Sequence, residues 1–303
     1  MTVTERGRFA PSPTGELHLG NARTALLAWL WARSVGADFA LRVEDLDRPR
    51  VRPGLAGQQL DELRWLGLDW DGEVLYQSAR AAFYDQAIAQ LDAYPCFCSR
   101  AEIAAASAPH AGEESRYAGT CKSLTLAQRS ERERTRAPSL RLRVPEGPVI
   151  FPDELAGPQS FDPQAEVGDF VLRRADGIHA YQLAVVVDDA ASGITQVLRG
   201  ADLLSSTARQ IVLYRMLGLP IPRWAHAPLV LGPAGQRLSK RDQPTSLSAL
   251  KQAGADPRQL IALLASISGL EVAAHGCTPA ALVGSFALGR IPRGPAHVSA
   301  LGA

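Results

Sequence analysis

Gly7-Arg-Phe-Ala-Pro-Ser-Pro-Thr-Gly-Glu-Leu-His18-Leu-Gly20-Asn21-Ala-Arg-Thr-Ala-Leu26 is the stretch that sets the fold. Its start, Gly7 to Pro11, is a short apolar run closed by prolines, and reads as a buried strand running into a loop. From Asn21 to Arg33, Ala22, Ala25, Leu26, Trp29 and Leu30 recur at helical spacing, and Gly36 supplies a stop. Phe39–Val43 reads as a second strand that ends in the acidic cluster Glu44-Asp45-Leu46-Asp47, and helical patterns follow at Leu55–Leu66 and Ala81–Leu91. Strand, helix, strand and further helices predict an α/β fold with a parallel sheet built from βαβ crossovers.

Working outward, the stretch from about Tyr94 to Gly168 changes texture. It carries three of the four Cys, an Ala-rich segment, an Arg-rich run and many prolines, and reads as an insertion packed on the sheet. The α/β pattern resumes at Phe170–Arg173, with further strands at Ala184–Val187 (closed by Asp188-Asp189), Thr195–Arg199 and Pro228–Gly232. Thr207–Leu217 reads as a helix ahead of Gly218, and Asp256-Pro257 opens another over Arg258–Ser268. The Gly-, Ala- and Pro-rich end predicts a weakly structured tail, with Cys277 incidental.

Lys and Arg number 32 against 31 Asp and Glu, so the net charge of +1 excludes a basic-tail nucleic-acid clamp and a polyacidic chain. A local positive face for nucleic acid remains compatible with that balance. No apolar run approaches the roughly 18 residues of a membrane span, so no membrane partner is expected. Met1–Arg8 lacks a signal-peptide core, and four Cys make no disulfide framework, which points to the reducing cytoplasm.

Two segments carry chemistry. In the first, Gly15 and Gly20 permit close backbone approach, the helix after them offers unpaired N–H groups and a positive dipole end, and His18 can donate to phosphate oxygens. The second, Gly235-Gln-Arg237-Leu-Ser239-Lys240-Arg241, groups three cations with a serine in a Gly/Pro-bounded loop able to clamp a polyanion. Alone, the first also reads as a helix-capping turn and the second as a solvated charge run.

Together they resemble the paired signatures of class I aminoacyl-tRNA synthetases, and the first segment is similar to the glutamyl/glutaminyl branch. So are LRVEDLD, AYQLAVVVDDAASGIT, VLRGADLL and APLVLG, in order from about Gly7 to about Leu250. The resemblance implies a Rossmann-like catalytic sheet in two halves, 1–93 and 169–245, an inserted zinc-binding subdomain at 94–168, and a short helical segment with its tail at 246–303. It implies ATP and L-glutamate as substrates, with Mg²⁺ accompanying ATP. His18 and Lys240 would act at the phosphates, and Gly20, Asn21, Gly200, Asp202 and Ser239 would complete the ATP site. Arg8, Phe9, Ala10, Pro11, Ser12, Glu44, Tyr181 and Arg199 would hold glutamate, a guanidinium fork taking its side-chain carboxylate and Glu44 its ammonium. Read singly, each arginine also admits the weaker reading of a structural ion pair, and Tyr181 equally suits core packing. Asn21 stands where the family often has a second histidine, Arg237 and Leu238 replace the commoner Lys and Met, and Val185 replaces a side chain that can be polar.

Cys96, Cys98 and Cys121 could converge on one structural Zn²⁺, with His110, Tyr117 or water as fourth ligand; the resemblance implies Tyr117. The branch ordinarily continues into an anticodon-reading helical domain, whereas only residues 242–303 follow the lysine loop here. That implies a monomer of the truncated subgroup, which activates glutamate without tRNA and attaches it to the queuosine base in the anticodon of tRNA(Asp). The alternatives are a compact enzyme charging the tRNA 3′ end and a non-catalytic tRNA-binding paralogue. Arg129, Arg132, Arg134, Arg136, Arg141 and Arg143 form the dense basic run, but Glu131 and Glu133 interleave, which favours a solvated face over an RNA contact.

Overall fold

The computed structural model describes residues 4–107, 116–232 and 246–297. β1 (Arg6–Phe9) and β2 (Asp38–Val43) pair in parallel, with Arg8 beside Ala40, and α1 (Leu19–Ser34) forms the crossover between them. Helix α1 is apolar almost all round, and Leu19, Ala22, Leu26, Leu27 and Leu30 are wholly buried, as a helix at the centre of a core must be. α2 (Leu55–Trp65) leads to β3 (Leu75–Tyr76), which adds in parallel to β2. α3 (Ala81–Ile88) follows, shorter than the periodicity predicts.

The stretch expected to be an insertion holds β4 (Ala93–Cys96), α4 (Arg100–Ser107), α5 (Leu126–Glu133), β5 (Ser139–Leu142), the antiparallel hairpin of β6 (Val149–Asp153) with β7 (Gly157–Phe161), and the short α6 (Pro163–Glu166). β8 (Val171–Arg173) is the strand expected to resume the parallel sheet, and here the expectation is corrected: β8 pairs antiparallel with β5, which pairs antiparallel with β4. The cause lies just before it. The Asp169 carboxylate accepts from Tyr94 Oη at 2.7 Å and its carbonyl accepts from Arg141 Nη1 at 2.6 Å, which ties the start of β8 to β4 and β5.

α7 (Tyr181–Ala191) corrects a second expectation, because the Ala184–Val187 run is helical. A short branched apolar run suits a buried helix as well as a strand, and tertiary burial overrides the modest helix penalty of valine. Leu183, Ala184 and Val186 pack in the core with residues of α3 and of the helix that follows. β9 (Gln196–Gly200) and, after α8 (Leu204–Met216), β10 (Arg223–Ala227) then pair in parallel, the latter a strand that sequence reading missed. β9 runs beside β1, and Thr195 N–H donates to the Arg6 carbonyl at 2.9 Å.

The strand predicted at Pro228–Gly232 contracts to β11 (Val230–Leu231), and α9 (Leu247–Gln252) and α10 (Pro257–Ser266) follow, the latter capped by Asp256 as expected. The end of the chain is no loose tail within the described residues. α11 (Pro279–Leu282) and β12 (Ala296–His297) close it, β12 pairs in parallel with β11, and Cys277, Leu282, Phe286 and Ile291 are buried in the α1 core. Cys277 is therefore a packing residue. Among the described residues no helix is long and apolar enough to cross a membrane.

Candidate active site

The chain builds β1, β2 and β3 to one side, then returns to lay β9 and β10 on the other side of β1. Ligands of open parallel sheets bind beyond the carboxyl ends of the strands where that direction reverses. A cleft of 510 Å³ opens at this place, between the ends of β1 and β9. Arg8, Phe9, Ala10, Pro11, Ser12, His18, Gly20, Asn21, Glu44, Tyr181, Arg199, Gly200 and Asp202 all line it, so the sequence-predicted residues from five separate segments, at 8–12, 18–21, 44, 181 and 199–202, meet in one space. Ser239 and Lys240, like His110, lie outside the described residues.

Arg8 and Glu44, at one end of the cleft, rest on a buried charge network. Asp189, on α7, accepts from Arg8 Nε and Nη2, both at 3.3 Å, and from Arg42 Nη1 at 2.5 Å. Arg42 Nη2 in turn donates to Glu44 at 3.1 Å, so one aspartate fixes the two arginines that flank the cleft's acid. Burial acts to raise the Asp189 pKa, but Arg42 and Arg8 outweigh it and hold the carboxyl below its usual range. At Glu44 burial wins over the same two arginines and pushes the carboxyl up. A cationic ligand at Glu44 would reverse that shift.

Arg199 differs from its neighbours. It is 4% exposed, yet pairs with no carboxylate among the described residues. Its Nε donates to His226 Nε2 at 3.0 Å, and its Nη2 donates to Thr207 Oγ1 at 2.7 Å and to the Leu203 carbonyl at 3.3 Å. Nη1 is buried without a hydrogen-bond partner, and burial drives the guanidinium pKa down. The bidentate forks anticipated for substrate are thus engaged internally, since Arg8 gives Nε and Nη2 to Asp189 and Arg199 gives Nε and Nη2 to neutral acceptors. What each retains for a ligand is Nη1. Tyr181, the first residue of α7, stands between this end of the cleft and a second cleft of 750 Å³ that shares Ser12, Glu44 and Tyr181 with the first.

The other end suits phosphate. His18 caps α1, its Nδ1 accepting from the backbone N–H of Gly20 at 3.1 Å and of Asn21 at 3.3 Å, while the Asn21 side chain accepts from His18 N–H at 3.2 Å. That capping box fixes the neutral ring's tautomer with its proton on Nε2, a donor at a helix N-terminus. Gly20 is obligatory, because a Cβ there would lie 2.9 Å from His18 Cε1 and 3.0 Å from Nδ1. Gln59 of α2 pins the preceding loop by donating to the carbonyls of Ser12 and Gly15 at 3.1 and 2.8 Å. Ser246 forms a β-bridge with His18 and Leu247 N–H donates to the Leu17 carbonyl at 2.8 Å, while Val230 lines the cleft. The described residues on either side of the lysine segment are therefore both anchored at this end.

In the insertion, the sulfurs of Cys96, Cys98 and Cys121 lie within 4.8 Å of one another, a set able to hold a metal ion. Cys98 and Cys121 Sγ are 3.7 Å apart; Zn–S bonds of about 2.3 Å at tetrahedral angles give sulfurs ~3.8 Å apart. Tyr117 Oη sits 3.3 Å from Cys96 Sγ and accepts from Cys121 N–H at 2.8 Å, at the edge of the trio. Gly168, at φ +75°, backs it closely, as a Cβ would lie 2.2 Å from the Tyr117 carbonyl oxygen. Burial and the neighbouring thiols push Cys98 up to about 12, the direction that a cation bound among the sulfurs would oppose.

The basic run is largely occupied within the insertion. Arg134 pairs with Glu131, Arg136 with Glu102 and the Phe97 carbonyl, and Arg143 with Asp92 and the Lys122 carbonyl, while Arg141 lies over the Tyr117 ring at 3.9 Å. Sequence reading quoted Asp188-Asp189 but gave neither a task, and it passed over Arg42 and Gln59. Asp188 likewise accepts from Arg80, Gln77 and Tyr84. The available signal was two adjacent acids closing an apolar run, since a buried carboxylate requires a partner.

Residues 4–276 match the family described as tRNA synthetases class I (E and Q), catalytic domain. A glutamyl-Q tRNA(Asp) synthetase of Symbiobacterium thermophilum is 52% identical over 97% of this chain and 96% of its own length. One of Nocardia farcinica is 50% identical over 97% and 93%. A crystal structure of the glutamate-tRNA synthetase of Elizabethkingia anophelis superposes with a TM-score of 0.84 at 29% identity, covering 98% of this chain and 68% of that one. With the motifs gathered at one switch-point cleft and the match spanning most of its length, the chain belongs to the class I aminoacyl-tRNA synthetases of the E and Q type.

Proposed function

We propose that the switch-point cleft activates L-glutamate with ATP, in the absence of tRNA, and that the glutamate passes to the queuosine base in the anticodon of tRNA(Asp). The observation that carries this is Arg199, a buried guanidinium with no carboxylate partner among the described residues and an orphaned Nη1, whose side chain belongs to the lining of a cleft ending at a capped helix N-terminus. A side-chain carboxylate satisfies that donor, with Arg8 beside it, and Glu44 takes the ammonium. The substrate's α-carboxylate oxygen attacks the α-phosphorus of ATP and pyrophosphate leaves. His18 Nε2–H, at the positive end of α1, holds phosphate oxygens, with Asn21, Gly200 and Asp202 around the nucleotide and Ser239 and Lys240 taking charge from the leaving phosphates. Mg²⁺ bound to ATP neutralises phosphate oxygens.

In the second step a ring hydroxyl of the modified base attacks the acyl carbon, the acyl–phosphate bond breaks and AMP departs. The second cleft supports this, because it reaches the first at Ser12, Glu44 and Tyr181 and is open to a nucleoside-sized acceptor. The acceptor assignment is drawn from the relatives' names, matched over nearly their full length. The thiol trio, with Tyr117 as fourth ligand, holds a structural Zn²⁺ that braces the wall of the second cleft, to which Cys96 and Cys98 belong.

Pyrophosphate exchange with glutamate alone, followed by transfer of labelled glutamate to tRNA(Asp), tests both steps. Expected are exchange without tRNA, and transfer only to queuosine-containing tRNA(Asp), including tRNA that lacks its 3′-terminal adenosine. Exchange that requires tRNA, or label lost with the terminal adenosine, overturns the assignment.

A further inference from the structure

We propose that Asp153 and His226 form a positioning relay that aims Arg199 at the substrate and makes glutamate affinity depend on the charge of His226; this rests on the assignment of Arg199 above. The parallel register sets His226 of β10 directly beside Arg199 of β9. A guanidinium has only donors, so the Arg199 Nε–H needs an acceptor, and His226 Nε2 provides it at 3.0 Å. Nε2 can accept only when the imidazole is neutral with its proton on Nδ1. Asp153 enforces that tautomer: its Oδ2 lies 2.5 Å from His226 Nδ1, and both residues are almost wholly buried.

Asp153 is itself immobilised. Its Oδ1 accepts from the backbone N–H groups of Leu155, Ala156 and His226 at 3.1, 2.7 and 3.2 Å, so the tip of the β6–β7 hairpin is tied to β10. Thr207 Oγ1 accepts from Arg199 Nη2 and lies 3.1 Å from His226 Nε2, and the Trp224 ring lies 4.9 Å from the guanidinium carbon. Every Arg199 donor but Nη1 is thereby fixed, and Nη1 is left for the ligand.

The relay has a built-in sensitivity. Burial lowers the His226 pKa, Asp153 works against this, and Arg199 and Arg8 reinforce it, so the ring stays neutral to below the usual histidine value. Trp224 and Thr207, its other neighbours, carry no charge. Once protonated, His226 would present N–H to N–H and a cation to a cation, and Arg199 would have to turn from its seat. Asp153 and His226 touch no reacting atom. They act through Arg199 alone.

The test is pyrophosphate exchange by the full chain at pH 8, reading KM for glutamate and ATP separately, in His226→Leu, His226→Gln and Arg199→Lys. His226→Leu is expected to raise the glutamate KM about tenfold, the worth of one hydrogen bond to a charged group, while the ATP KM moves less than about twofold. His226→Gln, whose amide oxygen can accept from Nε, is expected to recover most of the loss. The parent's glutamate KM should be flat above the usual histidine pKa and rise as pH falls below it, a rise that His226→Gln reduces to the part Glu44 contributes at lower pH. If His226→Leu does not fold, the pH profiles of the parent and His226→Gln decide alone. Parallel changes in both KM values, an unchanged glutamate KM, or a pH profile shared by the parent and His226→Gln overturns the relay. An Arg199→Lys variant with parental glutamate KM overturns instead the assignment beneath it.

Discussion

Asp189→Asn attacks the site from behind. The wild-type carboxylate receives Arg8 at 3.3 Å and Arg42 at 2.5 Å, and its side chain is wholly buried. Removing one member of a buried ionic cluster costs about 3–5 kcal/mol, because the remaining charges stay in a low-dielectric interior without compensation. Asparagine keeps one carbonyl oxygen for one guanidinium, so the loss falls near the lower end, ~3 kcal/mol. At about 2–4 °C per kcal/mol in a large domain, the melting temperature should drop by ~6–12 °C. The folded-state pKa of Asp189 is depressed, so its stabilisation is complete above the unfolded carboxylate pKa and fades as pH falls below it. The gap between parent and variant should therefore be widest near neutrality and narrow on acidification. Calorimetry or urea denaturation between pH 7 and pH 2, a window that spans the unfolded carboxylate pKa and the depressed folded one, measures it. The glutamate KM should rise as well, since Arg8 loses its seat. A variant melting within about 1 °C of the parent, or a gap that does not narrow in acid, would refute the account of Asp189 as the anchor of the site.

Gly20→Ala forces a methyl group to within 2.9 Å of the His18 ring, and pyrophosphate exchange should show catalysis impaired roughly tenfold or more at unchanged glutamate KM. His18→Ala removes both a phosphate donor and a helix cap; kcat should fall about 10²–10³-fold while stability drops only ~1 kcal/mol, separable by exchange kinetics and urea titration. Chelation, or Cys96→Ser, should release one zinc per chain and lower the melting temperature, and metal analysis of the parent that finds no zinc contradicts the thiol site. Glu44→Gln should raise the glutamate KM with little effect on that for ATP, because the ammonium loses its counter-charge.

Much of the catalytic half was legible because its signals are local. Gly7–Pro11 followed by the Asn21–Arg33 periodicity specifies a strand, a loop and a helix, and residues on such a loop and on strand ends gather at the carboxyl edge of a parallel sheet. The Ala184–Val187 run was not legible, since side-chain branching suits a strand while the packing of Leu183 and Val186 against α3 and α8 requires a helix. Nor was the end of the chain, where Gly, Ala and Pro dominate the composition but Leu282, Phe286 and Ile291 complete the α1 core. Support for the site was hidden for a different reason. Asp189 lies 181 residues from Arg8, and Asp153 lies 73 residues from His226, so neither pair leaves a periodic trace; only the folded chain brings them together.

The central claim is that one cleft holds the glutamate side chain at Arg199 and the reacting phosphate at the start of α1. A crystal structure with a non-hydrolysable glutamyl-adenylate analogue tests it most directly. The γ-carboxylate should be found within hydrogen-bond distance of Arg199 Nη1, the ammonium against Glu44, and the phosphate-mimicking group at His18 Nε2. An analogue bound elsewhere, or one in this cleft with Arg199 Nη1 turned away from it, would contradict the account.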